Sequence, residues 1–262
     1  MPKFVGDITN VAGGLLSVFD AVLPLQENWS IHDAAAGTNA KVYKCDGDIL
    51  FYVYVGDNQT NYGLIRLWAT WDNITHTGSG SQTANISFCK SRSAYNIYIN
   101  GNRFIYINLD SSKNNGHYCG LIKRIDTSKK LVLVVGGAAN WAYQEYNFLS
   151  GFGDATDTKA LLMEDVDGNA SVSVYPMINS NSRIHDLDGK IRINETPLCH
   201  KTVNPRYFIG WYDGVVCLLN MPTGWPPGTG DRITVNGMDW ISYNENISIA
   251  YAQNKCLVRV ED

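Results

Sequence analysis

The chain has 262 residues, with 21 Lys+Arg against 25 Asp+Glu, a formal net charge of −4 and 45% apolar residues. That suits one large domain or two smaller ones with a real core, and a charged fraction of 18% excludes a disordered polyelectrolyte. A pI near 5.7 without a basic block argues against nucleic acid as a partner, and no apolar run approaches the roughly 18 residues of a membrane span. The start, Met1-Pro2-Lys3-Phe4, reads as neither signal peptide nor anchor, so the expectation is a soluble chain made in a cytoplasm.

The small polar residues set the fold class. There are 25 Asn and 19 Asp against 5 Gln and 6 Glu. Short amides and carboxylates bond their own backbone and favour turns, whereas the longer pair favours helix interiors. With 24 Gly and 15 Tyr, this fourfold excess predicts an all-β chain of many hairpins.

Residues 8–23 form the one predicted helix. Thr9 is placed to cap it, Val11, Leu15, Val18 and Val22 make an apolar stripe, and Phe19 and Leu23 widen that stripe. Gly13-Gly14 weaken the helix and Pro24 closes it. The stripe either packs on its own domain or serves as an arm that docks on a neighbouring chain. In the second case, deletion of residues 1–24 should leave a folded monomer. Strand pattern follows at 49–55 and 62–70, where β-branched and aromatic residues run on either side of a Gly-Asp-Asn-Gln-Thr-Asn turn. Tyr95–Ile107 reads as a hairpin around Asn100-Gly101, expected as a type I′ turn. Residues 118–125 and 131–135 pair next. After an aromatic connection at 141–152, short strands resume at 159–163, 171–177, 190–194, 206–212 and 214–219, and the C-terminal stretch adds 232–235, 238–243, 247–251 and 257–260. The expected organisation is a helical arm at 1–30, a first β region at 31–140 and a second at 141–262, or these two β regions as one continuous domain. The sheets are expected to be antiparallel and sandwich- or barrel-like.

Signatures of chemistry are missing. The chain holds no Walker loop, no Gly-x-Ser-x-Gly, no His-Glu-x-x-His and no Cys-x-x-Cys. Asp165-Val-Asp167-Gly-Asn169 begins like a calcium loop, but Ala170 and Pro176 stand where Gly and Glu are required. His117-Tyr-Cys119 and Cys199-His200 offer two ligands each without zinc spacing. No enzyme, metal or cofactor is expected. The six cysteines are spread singly, which favours buried thiols while leaving later oxidation open. Most aromatics alternate within strands and belong first to the core. Trp29, after the helix, and Trp225, in a Gly-Trp-Pro-Pro-Gly loop, stand outside that pattern. The residues expected at subunit or partner contacts are therefore Val11, Leu15, Val18, Phe19, Val22, Trp29 and Trp225.

Several stretches, taken in order, resemble a known family. They are Leu67-Trp-Ala-Thr-Trp71-Asp72, the hairpin Asn100-Gly-Asn-Arg103-Phe104-Ile105, the strand Tyr118-Cys-Gly120-Leu-Ile, and Leu131-Val-Leu-Val-Val-Gly136-Gly137. Ile209-Gly-Trp-Tyr-Asp-Gly-Val215 and Asp231-Arg-Ile-Thr-Val-Asn-Gly237-Met-Asp-Trp240 follow, with an apolar last strand. This series is similar to a family of virion structural proteins of tailed bacteriophages, many of them contractile-tailed. Asn102 departs from it, standing where the family pattern prefers Arg. The resemblance implies a neck, collar, tail or baseplate building block that forms a symmetric ring with copies of itself and other virion proteins. It would be made in a bacterial host and then carried in the virion, and the resemblance brings no catalytic residues. A carbohydrate-binding module that recognises the host surface through exposed aromatics is the alternative expectation.

Overall fold

The structure is a computed structural model that describes residues 1–8, 12–82, 85–90, 94–109, 114–125, 127, 130–136, 158–162, 174–176, 185–187, 190–192, 195–200, 208–222, 228–235, 237–245 and 252–260. Among the described residues the chain is all-β with one short α-helix, and the all-β class is what its turn-forming composition predicts. A front sheet runs in the order Trp29–Gly37, Ala40–Asp46, Leu50–Gly56, Tyr62–Asp72, Thr77–Gln82, and Ile86–Cys89 also pairs with Tyr62–Asp72. A central sheet follows the order Lys3–Asp7, Ala94–Asn100, Arg103–Leu109, Asn115–Leu121, Leu131–Val135, Thr158–Leu162. The rear sheet is Val215–Pro222, Ala252–Val260, Met238–Glu245, Arg232–Val235, and a smaller sheet joins Lys123–Arg124, Phe208–Trp211, Pro197–His200 and Val174–Pro176. Every pairing between these strands is antiparallel.

The central sheet is covered on both faces. Side chains alternate along a strand, so neighbouring residues serve different cores. Ile97, Ile99, Phe104, Tyr106, Val132 and Val134 face the front sheet, where they meet Tyr43, Phe51, Val53, Val55, Ile65 and Leu67. Tyr98, Ile105, Ile107, Leu131, Leu133 and Val135 face the other way, onto Ile209, Tyr212, Val215, Ile241, Tyr243 and Val258. Leu131–Val135 is apolar throughout because neither of its faces meets water. Asn96 is buried in the same sheet and donates to Tyr243 Oη at 2.6 Å. Tyr98 and Tyr243 share a further hydrogen bond, so these three polar side chains satisfy one another within the core.

Two local expectations are corrected. The helix spans Gly14–Val22, with a short 3-10 turn at Leu23–Leu25 that contains Pro24, so it starts later than residue 8. Gly13, at φ 87°, precedes it without a side-chain cap, and the acceptor comes from a distant residue. Asp57 Oδ2 takes the Leu15 N–H at 2.6 Å, and Asp57 O takes the Gly13 N–H at 2.8 Å. Thr9 and Val11 lie outside the described residues. The hairpin at Asn100 is present but its turn is not type I′. Asn100 pairs with Arg103, which puts Gly101 and Asn102 at the tip, and neither has positive φ. Asn100 Oδ1 instead accepts the N–H groups of Asn102 at 3.0 Å and Arg103 at 3.1 Å, an Asx turn. Sheet pairing also crosses both boundaries drawn from the sequence: Lys3–Asp7 pairs with Ala94–Asn100, and Leu131–Val135 with Thr158–Leu162.

Candidate functional site

The helix stripe expected at a subunit contact lies inside the chain. Leu15, Val18, Phe19 and Val22 are all buried in the front core, and Phe19 packs edge-on to Tyr43 and against Phe104. Trp29 is buried with them and donates Nε1–H to Asn100 O at 3.1 Å. The docking-arm expectation is corrected by this packing: the stripe is covered by the chain's own sheets. Deleting residues 1–24 would open the core and remove the Lys3–Asp7 strand. Val11 and Trp225 lie outside the described residues.

Three of the stretches singled out in the sequence, and the last strand, meet instead in one cluster, while residues 67–72 lie elsewhere, on the front sheet. Arg103, from the Asn-Gly hairpin, is fully buried and donates Nε–H to Asp213 Oδ2 at 2.7 Å. Its Nη1 lies 2.6 Å from Met1 Sδ. Asp213 belongs to the Trp-Tyr-Asp-Gly turn, and its other oxygen meets Lys123 at 2.9 Å and Arg259 of the last strand at 3.2 Å. Glu195 completes the cluster, taking Lys123 at 2.8 Å, Arg259 at 3.3 Å and the Gly214 N–H at 2.7 Å. Two glycines make room for it. At Gly120, with φ 141°, a Cβ would overlap Arg103, and at Gly214, with φ 73°, it would stand 2.8 Å from Arg103 Nη2. Tyr118 packs on Tyr212 beside them, with ring centroids 5.1 Å apart. Burial alone would raise the Asp213 pKa, but the charge and hydrogen bond of Arg103, reinforced by Lys123, outweigh it and bring the carboxyl down to about 2. Three cations around two carboxylates thus clamp the central, small and rear sheets together.

A second constellation stands on the outer face of the front sheet. Register places Tyr54 opposite Arg66 and Tyr52 opposite Trp68, with all four side chains on the face turned away from the core. Trp71 joins them across a strand irregularity, its ring 5.8 Å from Tyr54 at 35° and 6.1 Å from Trp68 at 68°. Tyr54, Arg66, Trp68 and Trp71 line a groove of about 430 Å³ that also includes His76, Asn58 and Asn85. The Trp68 indole lies over Gly78, where a Cβ would overlap the ring. Arg66 sits over Trp68, 5.6 Å from the ring centre, and donates Nε–H to Asn85 Oδ1 at 3.0 Å. Beneath the groove, the buried Asp33 carboxylate accepts Trp71 Nε1–H at 2.9 Å and the Ala35 N–H at 2.9 Å, and lies 2.7 Å from His76 Nδ1. Its desolvation is overcome by these bonds, first among them His76, so its pKa is lowered. The anchored Trp71 ring therefore has a fixed orientation.

Other reactive-looking pairs are interior. Burial pushes the His117 pKa down to about 3, so the ring is neutral, and its Nε2 accepts the backbone N–H of Cys89 rather than a thiol proton. Lys90 and Asp57 form an ion pair that is fully buried beside the helix start. Cys45, Cys89, Cys119, Cys217 and Cys256 are buried and no disulfide joins them. Among the described residues, no three His, Cys, Asp or Glu side chains gather around a point that could hold a metal. The pattern of alternating aromatics gave no means of separating Trp68 and Trp71 from core residues. Arg66, Asp33 and Asp57 carried no motif at all. No protein-family model and no curated protein matches the chain.

Proposed function

We propose that this chain is a structural subunit of a tailed-bacteriophage virion, a neck, collar, tail or baseplate component that assembles in a ring with copies of itself and with other virion proteins. The observation that supports this reading is the convergence around Arg103. Fragments far apart in sequence, each part of the resemblance, meet in one buried cluster: Arg103 from the hairpin, Gly120 from the Tyr-Cys-Gly strand, Asp213 and Gly214 from the Trp-Tyr-Asp-Gly turn, and Arg259 from the last strand. Chance matches have no reason to share one ion cluster. The cluster clamps three sheets, which is the work expected of a rigid building block, and the proposal assigns the chain no reaction. Strands Lys3–Asp7, Trp29–Gly37 and Arg232–Val235 each end a sheet among the described residues, and such edges suit pairing on assembly.

Immunogold electron microscopy of particles from the source lysate, with antibody raised against the recombinant chain, tests this. Label at the head–tail junction supports a collar component, and label along the tail or at its tip supports a tail or baseplate component. Unlabelled particles in a lysate whose blot is positive would overturn the proposal.

A further inference from the structure

The groove on the outer face of the front sheet has the size and lining of a ligand site. Its volume, about 430 Å³, lies within the range of small-molecule sites, roughly 300–1,000 Å³. Three properties narrow the ligand. The ring planes of Tyr54, Trp68 and Trp71 meet at 35° and 68°, so the walls form an aromatic trough rather than a flat patch. Aromatic faces favour the C–H surface of a ring that is itself amphipathic. Asn58 and Asn85 stand among them, supplying amide donors for hydroxyl groups. The oxygen of each amide is already engaged, Asn85 by Arg66 and Asn58 by Gln59, so their N–H groups are what they offer to a ligand oxygen.

Charge supplies the third property. Arg66 is fixed at its Nε by Asn85 and lies 5.6 Å from the Trp68 ring centre, so the two terminal amino groups of its fork are oriented before any ligand arrives. Asp33 is the nearby carboxylate, and it is buried and already engaged by Trp71, His76 and the Ala35 N–H. It does not line the groove itself, where Arg66 is the one carboxylate-binding cation of fixed charge among the described residues. One guanidinium is too little for a polyphosphate track, in a chain whose net charge is −4. We propose that the groove binds a saccharide bearing a carboxylate, with a pyranose face against Trp71, the rim of the sugar along Trp68 and the carboxylate on the Arg66 fork. Trp71, tethered through Nε1 to Asp33, acts as the preset wall, and Gly78 leaves the space in which Trp68 lies.

This site is independent of the virion reading, because it is measured on the purified chain in solution, whereas the virion reading is measured on particles. Isothermal titration of the full chain with oligogalacturonate and hyaluronan oligosaccharides, and with neutral cello-oligosaccharides, tests it. The expected result is saturable binding of a uronate oligomer and at least tenfold weaker binding of the neutral series. Arg66→Gln should abolish that preference, and Trp68→Ala should weaken all saccharide binding at least tenfold, with the thermal midpoint of Arg66→Gln unchanged. Silence towards every uronate overturns the proposal. So does equal binding of neutral oligomers, or uronate binding that survives both substitutions.

Discussion

Arg103 and Arg66 both emerge from antiparallel strands next to aromatic rings, and they do opposite work. Arg103 lies between sheets with no exposed surface, its Nε on Asp213 and its Nη1 against Met1. Arg66 lies on a sheet face, held only at Nε by Asn85 and resting on Trp68. A buried guanidinium must find its partners within the chain, because an unmatched charge in the interior is very costly. A half-buried one is free to keep part of its fork for a ligand. The depth of burial, rather than the residue type, separates a clamp from a receptor.

Substitution should widen that contrast. Arg103→Met strips the interior cluster of its most buried cation and leaves Asp213 Oδ2 without its Nε–H donor. Breaking a buried ion pair from one side costs about 3–5 kcal/mol, and the partial exposure of Asp213 puts the expected loss near about 3 kcal/mol. Arg66→Met on the sheet face should stay within about 0.5 kcal/mol of the parent. Urea unfolding of the two variants measures both values, and equal losses would dissolve the distinction between clamp and receptor.

Acid should reach the clamp through Asp213. Its carboxyl is held at about 2 in the folded chain, below the ordinary value of 3.8. A depressed carboxylate stabilises the fold above its unfolded pKa, and that contribution is lost as pH falls through the window from about 4 to about 2. The shift corresponds to about 2 kcal/mol. His117, neutral with a pKa near 3, works in the same direction from higher pH, since the unfolded chain takes up its proton first as pH falls below about 6.5. Asp213→Asn should therefore lower stability at pH 7 and flatten only the part of the curve between about pH 4 and 2. The slope above pH 4 should persist. Denaturant midpoints measured across pH 7 to 2 in parent and variant give both results, and an unchanged acid limb would remove Asp213 from the account.

Local patterns reached some of this. The runs at 49–55, 62–70 and 131–135 fall on strands because β-branched and aromatic residues fit a pleated surface, and the hairpin tip lies where Asn and Gly mark it. The turn type did not follow, because the Asn100 side chain bonds the next backbone amides and removes the need for positive φ. Trp29 reads as a loose aromatic after a helix, yet Asn100, far along the chain, accepts its indole proton and holds it in the core. Trp68 and Trp71 read as core because period-two alternation assigns residues to faces but cannot say which face is covered. In the front sheet both faces carry aromatics, and only the position of the central sheet decides between them. The helix start is a similar case, since Asp57 supplies what Thr9 was expected to supply, through a contact between distant residues. Long-range placement is the common missing quantity.

One methyl group tests the two regions on equal chemical terms. At Gly214 the backbone is left-handed, which disfavours alanine by about 1–2 kcal/mol, and the new Cβ would press on Arg103 from 2.8 Å. Gly214→Ala should thus destabilise the chain by about 2 kcal/mol and leave saccharide affinity unchanged. At Gly78 the backbone is ordinary, and the added Cβ meets the indole of Trp68, a ring that can tilt outward from the sheet surface. Gly78→Ala should cost about 1 kcal/mol of stability, at the low end for overpacking, while weakening uronate binding severalfold by shifting one wall of the groove. Thermal melts and titrations on the same two proteins separate the effects. If Gly78→Ala binds as well as the parent, the position of Trp68 does not matter to the groove, and the trough shape loses its role in recognition.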